Sequence, residues 1–330
     1  MPGMDGFEVC GIIKSGHVNQ KTPVIFLTAK VDTESIVNAF DLGAVDYVIK
    51  PFNQKELIAR VKTQIEIEIA KNLKEIEYKN KLITYSIKYA QTIQNAVLKA
   101  SQNGSDYFSE QFCLLLPKDI VSGDFYWFHR IENKLLVGVF DCTGHGIPGA
   151  FMSMLGVALL NETVIREKIT EPHLILDRLR EKIIKALGQK GMISEVKDGM
   201  DGSIISYDLS TKTLVYSGAF NPMYLIRDNK IIEFMGDRMT LSYQDNTPDF
   251  SRQEIKTKRK DLVYLFSDGF VDQFGGQEDK KFRRTRFKQV LLRNHKNSLE
   301  VQKEMLLDTH NSWKGNGDQV DDITVVGLKL

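Results

Sequence analysis

Asp141-Cys142-Thr143-Gly144-His145-Gly146 is the stretch on which the fold turns. It ends the apolar run Leu135–Asp141, whose residue types suit a buried strand, and it precedes Pro148 and a helical pattern. Three more acidic motifs sit at the edges of strand-like runs: Ser122-Gly123-Asp124, Ser267-Asp268-Gly269 and Val320-Asp321-Asp322. Carboxylates at strand ends converge in a fold although they lie far apart in sequence. A cluster of four repels itself unless divalent cations neutralise it, and hard ions such as magnesium or manganese suit all-oxygen sites. The motif order therefore predicts a two-metal hydrolytic centre. The competing reading of each aspartate is turn-forming or helix-capping work.

Bulk composition narrows the classes. The chain has 330 residues, enough for two or three domains, and 42% apolar with 26% charged residues fits an ordinary soluble protein. A net charge of +1 supplies no global field for nucleic acid or an anionic membrane, and neither is expected as a partner. Cys10, Cys113 and Cys142 are odd in number and lack metal-type spacing, which reads as reduced thiols of a cytoplasmic protein. The longest apolar run, Phe151–Leu160, is too short to span a bilayer, and Met1-Pro-Gly-Met-Asp-Gly6 lacks the start of a signal peptide.

Before the acidic motifs lie two other segments. Pro23–Leu27 and Asp46–Ile49 read as buried parallel strands, with a helix over Ser35–Leu42 stopped by Gly43. From Glu56 to about Ala100 there is no Gly or Pro. Ile69, Leu73, Ile76, Asn80, Ile83, Ile87, Ala90, Gln94 and Val97 follow steps of four and three, the seam of a parallel two-stranded coiled coil. A long helix packing on its own domain is the alternative. Gln102-Asn-Gly-Ser105 is expected to break that helix. Beyond it, strands are expected at Phe112–Pro117, Phe125–Arg130, Leu135–Asp141, Ser203–Tyr207, Thr213–Ser217, Met223–Ile226, Lys230–Phe234, Leu262–Phe266 and Ile323–Leu330. Helices are expected from Pro148 to about Arg166, from Pro172 to about Leu187, and near Arg284–Arg293 and Leu299–Trp313. Blocks of strands with inserted helices give an α+β class.

Two resemblances add to this. Residues 1–60 resemble the second half of a response-regulator receiver domain, through Met1-Pro-Gly-Met-Asp-Gly6, Leu27-Thr28-Ala29, Gly43-Ala-Val-Asp-Tyr47 and Lys50-Pro51-Phe52. The resemblance implies a switch hydroxyl at Thr28, a switch aromatic at Tyr47 and a phosphate-binding lysine at Lys50. It puts the phosphoacceptor before Met1 and Asp5 in the turn after it, so residues 1–60 are expected to carry no phosphotransfer and to leave a hydrophobic sheet edge exposed. Residues 106–330 resemble the SpoIIE-type branch of the metal-dependent type 2C (PPM) serine/threonine phosphatases. The carrying motifs are Pro117–Trp127, Asp141–Gly146, Tyr216-Ser-Gly-Ala219, Phe266-Ser-Asp-Gly269 and Asp321-Asp-Ile-Thr-Val325, and Tyr85–Gln94 resembles the helix that often precedes this branch.

The resemblance implies a PPM-type β-sandwich flanked by helices, and three domains: a partial flavodoxin-like receiver over 1–56, a coiled-coil linker over 57–101 and a phosphatase over 106–330. It implies two divalent cations, Mn2+ or Mg2+. Asp141 would bridge them, the Cys142 carbonyl would be a further ligand, and Asp268 and Asp321 would hold the second ion, with Asp322 the rival of Asp321. Asp124 would bind directly or through water. His145 would protonate the leaving serine oxygen or serve as a structural donor. Asp198 and Asp201 would line the site or belong to a loop. The basic run Lys280–Lys296, with eight Lys or Arg and no acid, is a docking face or a solvated helix face. Phe125-Tyr126-Trp127 is expected in the core. The resulting expectation is a phosphatase acting on phosphoserine or phosphothreonine of a bacterial regulatory protein, a STAS-like anti-sigma-factor antagonist. It would be the output domain of a response regulator, dimeric through residues 57–100 and served by a histidine kinase if a full receiver exists. The alternative is a non-catalytic dimeric signalling scaffold.

Overall fold

The structure, a computed structural model, describes residues 3–16, 19–29, 32–100, 108–190 and 198–330. The expected break at Gln102–Ser105, the motif residues Met1 and Pro2, and Lys197 lie outside the described residues. The chain divides into two compact units, Met1–Tyr85 and Ser86–Leu330.

In the first unit the order is α1 (Gly6–Ser15), β1 (Ile25–Thr28), α2 (Thr33–Asp41), β2 (Asp46–Ile49) and the start of α3 (Gln54–Ala100). Asp5 does more than turn the chain. Its carboxylate accepts from the Phe7 and Glu8 amides, and Glu8 accepts from the Asp5 amide, a reciprocal cap that starts α1. Strands β1 and β2 pair in parallel. Leu27 and Ile49 on the strands, and Ile12 and Phe40 on the helices, remain exposed. Helix α3 runs 47 residues without interruption, since nothing in it breaks the backbone ladder.

The second unit holds, after α3, β3 (Glu110–Leu116), β4 (Phe125–Ile131), β5 (Lys134–Cys142), α4 (Gly146–Asn161), a π-helical turn over Glu162–Arg166 and α5 (Pro172–Ala186). There follow β6 (Met200–Asp208), β7 (Thr213–Ala219), β8 (Met223–Arg227), β9 (Lys230–Phe234), β10 (Gln253–Lys256) and β11 (Leu262–Phe266). Last come α6 (Gly269–Asp272), β12 (Phe274–Gly275), β13 (Lys280–Lys281), α7 (Arg283–Asn294), α8 (Leu299–Lys314) and β14 (Ile323–Lys329). Two five-stranded antiparallel sheets, ordered β10-β7-β6-β5-β4 and β3-β14-β11-β8-β9, form a sandwich. Val137, Val139, Ile205, Leu225, Val263 and Leu265 fill the space between them. Helices α4 and α5 cover the first sheet over Phe125, Trp127 and Phe140. Helices α7 and α8 cover the second over Tyr224, Phe266 and Phe287. Trp127 is fully buried and its indole N–H donates to Asn161 Oδ1 at 2.9 Å, so about 2–3 kcal/mol of apolar burial carries no orphan donor.

Three expectations need correction. Strand β6 begins at Met200, three residues early, because it pairs along the whole of β5. Strand β10 is a short edge strand with too few apolar residues to stand out. Gln94 does not sit on an open seam: it is buried in the second unit. Among the described residues one stretch, Gly146–Arg166, suits a membrane span by composition and length, yet its Met152, Val157, Leu160 and Val164 belong to the core under the first sheet.

Candidate metal centre

Alternation along β5 sends Phe140 and Cys142 towards the helices and Val137 and Val139 between the sheets, so Asp141 continues the inter-sheet row at the strand's end. The antiparallel register places Asp201 of β6 directly opposite Asp141. On the other sheet, the Ser267 amide donates to Thr324 O at 3.0 Å and the Thr324 amide donates to Ser267 Oγ at 2.9 Å, which locks the end of β11 to the start of β14. The Ser267 hydroxyl then donates to Asp124 Oδ2 at 2.5 Å across the sandwich. Each motif thus meets another at a strand end.

Glycines permit the closest of these approaches. A Cβ on Gly149 would stand 2.2 Å from the Gly144 carbonyl oxygen, and one on Gly269 would stand 2.0 Å from that of Asp322. No side chain fits at either point. The Asp141–Gly146 loop therefore closes on the first turn of α4, and the Asp268 turn closes on the Asp321-Asp322 backbone.

The cluster has a floor and an open rim. Asp124 and Asp322 are buried, Asp141, Asp201 and Asp321 are half-buried, and Asp268 is open to solvent on one side. Burial pushes the Asp124 carboxyl up to about 8, with Asp322 and Asp321 adding to the rise against the Ser267 bond. Burial also lifts Asp141 well above the carboxylate range, and Asp124, Asp268, Asp321 and Asp201 lift it further. Asp201 is raised to about 6, first by burial and then by Asp268. Asp268 rises through burial, Asp272 and Asp321, although it lies within hydrogen-bonding reach of Asp141. The charges acting on Asp124, Asp141 and Asp201 are all carboxylates. Carboxylates this close share either protons or cations. Their oxygen-only chemistry fits a hard divalent ion. Among the described residues, no three His, Cys, Asp or Glu side chains enclose a single ion as they stand.

The sequence candidates take different positions. Asp322 is spent on the backbone: it accepts from the Lys118 and Gly123 amides, each at 2.7 Å, and so ties Ser122-Gly123-Asp124 to β14. The Asp321 carboxylate accepts from the adjoining Asp322 amide at 2.8 Å, its carbonyl accepts from Gln319 Nε2 at 2.8 Å, and its charge acts on Asp124, Asp141 and Asp268. The Cys142 side chain lies in the core under α4, which leaves its main chain for the site. His145 precedes α4, is exposed, and its Nδ1 lies 2.7 Å from Asp119 Oδ2. Asp198 is half-buried, and its carbonyl accepts from Gln189 Nε2 at 2.5 Å. Of the basic run, Lys281 pairs with Asp272, Lys288 with Glu233, and Arg286 covers the Trp313 ring at 4.6 Å, while Phe287 and Leu291 face the core.

Of the two placements left open for Asp201, the structure puts it in β6, paired with Asp141, and not in a loop. The roles of Ser267, Gln94 and Gln273 escaped the sequence reading, because they arise from contacts that no local pattern announces. Gln94 Oε1 accepts from the Ser122 amide at 3.1 Å, and its Nε2 donates to Ser122 O at 2.6 Å and Ser153 Oγ at 3.0 Å. Gln273, buried at the end of α6, donates to Asp318 O at 3.0 Å and accepts from the Val320 amide at 3.2 Å, so the segment after Asp268 steadies the loop carrying Asp321. A polar residue interrupting an apolar seam was the one available signal for Gln94.

Known proteins place this arrangement. The family described as stage II sporulation protein E (SpoIIE) matches residues 131–330, more than half the chain, and the response regulator receiver domain matches residues 1–62. Among curated proteins, the response regulator ArlR of Staphylococcus saprophyticus is 42% identical over 77 residues, 23% of this chain and 34% of its own. The DNA-binding response regulator MtrA of Mycolicibacterium smegmatis is 43% identical over 65 residues, 20% of this chain and 27% of its own. The chain thus spans about a third of the length of the curated relatives it matches. Among solved structures, the SiaA-PP2C domain of Pseudomonas aeruginosa is similar at 31% identity and a TM-score of 0.69, over 76% of this chain and 98% of that one. The PP2C phosphatase domain of SpoIIE with a fragment of its regulatory domain, from Bacillus subtilis, shares the fold at 19% identity and a TM-score of 0.55, over 67% of this chain and 62% of that one. The RsbU and RsbW domains of Rv1364c from Mycobacterium tuberculosis share it at 17% and 0.53, over 67% and 59%. With its receiver-domain match in front, the chain belongs to the SpoIIE family and carries a PP2C-type domain.

Proposed function

We propose that this chain is a divalent-metal-dependent protein phosphatase whose centre is the carboxylate cluster of Asp124, Asp141, Asp268 and Asp321. The observation that carries the reading is Asp141: half-buried, opposite Asp201, within reach of Asp268 and with only carboxylates acting on it. Asp141 would bridge two ions, Mn2+ or Mg2+, with the Cys142 carbonyl as a further ligand. Asp268 and Asp321 would hold the second ion, and Asp124 would reach it directly or through water. Asp201 adds a carboxylate on the same rim. Such ions acidify water and offset charge on a phosphoryl group. The protein's own part is to hold them: Ser267 orients Asp124, and Asp322 fixes the loop before it. His145, with Nδ1 held by Asp119, would give a proton to the leaving serine oxygen from Nε2.

The substrate would be phosphoserine or phosphothreonine on a bacterial regulatory protein of the anti-sigma-factor-antagonist, STAS-like type, which the family likeness suggests. The RsbU and RsbW domains joined in the mycobacterial neighbour agree with such a setting. We further assign a homodimer through residues 57–100, a cytoplasmic location and, for a complete receiver, an upstream histidine kinase. Residues 1–56, 57–101 and 106–330 would be the three domains. Phosphate release from a phosphopeptide and from a simple phosphate ester, with manganese and then with chelator, tests the reading. Asp141→Asn is expected to lower the manganese-dependent rate by about 1000-fold, the scale on which one preorganised electrostatic partner acts. Turnover retained in that variant sinks the assignment.

A further inference from the structure

A pocket of about 520 Å³ lies at the far end of the second sheet from the carboxylate cluster. It opens at Leu262, the first residue of β11, whereas Asp268 lies two residues past the last, Phe266; the strand between them spans roughly 13 Å by its rise. Three connections form its walls: the β8–β9 turn, the β10–β11 turn and the α7–α8 loop.

Its charges do not balance. Three carboxylates line it, and each already has a cation. Arg227 forks onto Asp261 through Nε at 2.9 Å and a terminal nitrogen at 2.5 Å, Lys329 pairs with Glu110, and Lys258 faces Asp228 at 3.8 Å. Arg259, Lys260 and Lys296 also line the pocket and form no ion pair among the described residues. Six cations less three anions leave an excess of three positive charges in one concavity.

The walls are built, not loose. The Lys258 amide donates to Asp261 Oδ2 at 2.7 Å and the Asp261 amide donates to Lys258 O at 3.1 Å, so the turn presenting three consecutive basic residues is closed at both ends. Lys260 adopts φ 74°, a left-handed backbone uncommon for lysine, and its amide is fastened to Leu330 O at 3.1 Å. His295 joins the other two walls: Nε2 lies 2.7 Å from Asn229 Oδ1 and Nδ1 lies 2.6 Å from Leu292 O. A concavity of about 520 Å³ lined by six cations has room for a small anionic ligand. Lysine and arginine at this density suit phosphate oxygens.

We infer that this pocket binds a chain of two or three phosphates, free or carried by a nucleotide. It is a site separate from the carboxylate cluster and independent of any reaction there.

The test is calorimetric titration of the full chain in chelator, so that no metal can draw phosphates to the acidic cluster. The probes are inorganic tripolyphosphate, ATP and inorganic phosphate. Tripolyphosphate and ATP are expected to bind one to one, at least tenfold more tightly than phosphate and more weakly at high salt. Equal affinities identify the bare phosphate chain as the ligand, and tighter ATP identifies a nucleotide. The double variant Arg259→Glu with Lys260→Glu is expected to lose binding at least tenfold at an unchanged melting temperature, while Asp141→Asn binds as before. No saturable binding overturns the inference. So does binding that survives the charge reversal, or that disappears instead on Arg283→Glu with Arg284→Glu, which places it on α7. Binding confined to anionic vesicles or a phosphopeptide, with neither small polyphosphate competing, also overturns it.

Discussion

Asp124 shows what the site asks of one residue. Its carboxyl is wholly enclosed, held by Ser267 and pushed to about 8, against an unfolded value of about 3.9. Between about pH 4 and 8 the folded chain without metal therefore keeps a proton that the unfolded chain has lost. Stability then falls as pH rises, and Asp141, Asp201 and Asp268, all raised, act in the same direction. In chelator, the melting temperature is expected to drop from pH 5 to pH 8, and Asp124→Asn to flatten that slope. A flat profile for the unaltered chain would show that these carboxyls titrate normally. The roles of single residues were partly legible. The order of Asp141, Asp268 and Asp321 announced the cluster from the sequence. The sequence favoured Asp321 over Asp322, as the residue that leads the Asp-x-Ile-Thr run; that Asp322 accepts from the Lys118 and Gly123 amides is visible only in the fold.

Helix α3 is the element on which sequence and structure differ most. The seam from Ile69 to Ile83 stays open: Ile69, Leu73, Ile76 and Ile83 are 54%, 61%, 55% and 57% exposed. Apolar side chains at heptad spacing and half open to water favour a second helix. Light scattering is expected to give a dimer, and Ile76→Asp with Ile83→Asp a monomer; a monomeric unaltered chain would refute the seam. Further along, Gln94 leaves this pattern and serves Ser122 with both ends of its amide. Gln94→Ala strands the buried Ser122 amide, at a cost of about 1–3 kcal/mol, while Ser153 Oγ still donates to the Ser122 carbonyl at 3.2 Å. The urea midpoint is expected to fall and manganese affinity to weaken, since the Ser122–Asp124 loop loses its tie. Wild-type values for both would leave Gln94 without a role. Heptad spacing alone does not distinguish these two uses, because it reports what is apolar and not what covers it.

At the scale of the whole molecule, the near-neutral chain separates its charge within the second unit, acidic at one end of the sandwich and basic at the other. Filling the acidic end couples metal to folding. Manganese at 100 times its dissociation constant contributes about 2.7 kcal/mol, which for a unit of this size shifts melting by roughly 5–10 °C. A shift of that order is expected on adding manganese to the chelated chain, and its absence in Asp141→Asn. If both melt alike, ion binding and this cluster are unrelated. The sequence by itself determined the α+β class, most strands and helices, and the four acidic motifs, since alternation, helix starts and glycine punctuation are local properties of a chain. Only the tertiary structure decided that Asp201 faces Asp141, that Ser267 reaches Asp124, that Asp322 is spent on backbone, and that Gln94 turns inward. Those facts are contacts between residues up to 204 positions apart. They depend on sheet register and on how closely glycine backbones approach, and neither is encoded by any one segment.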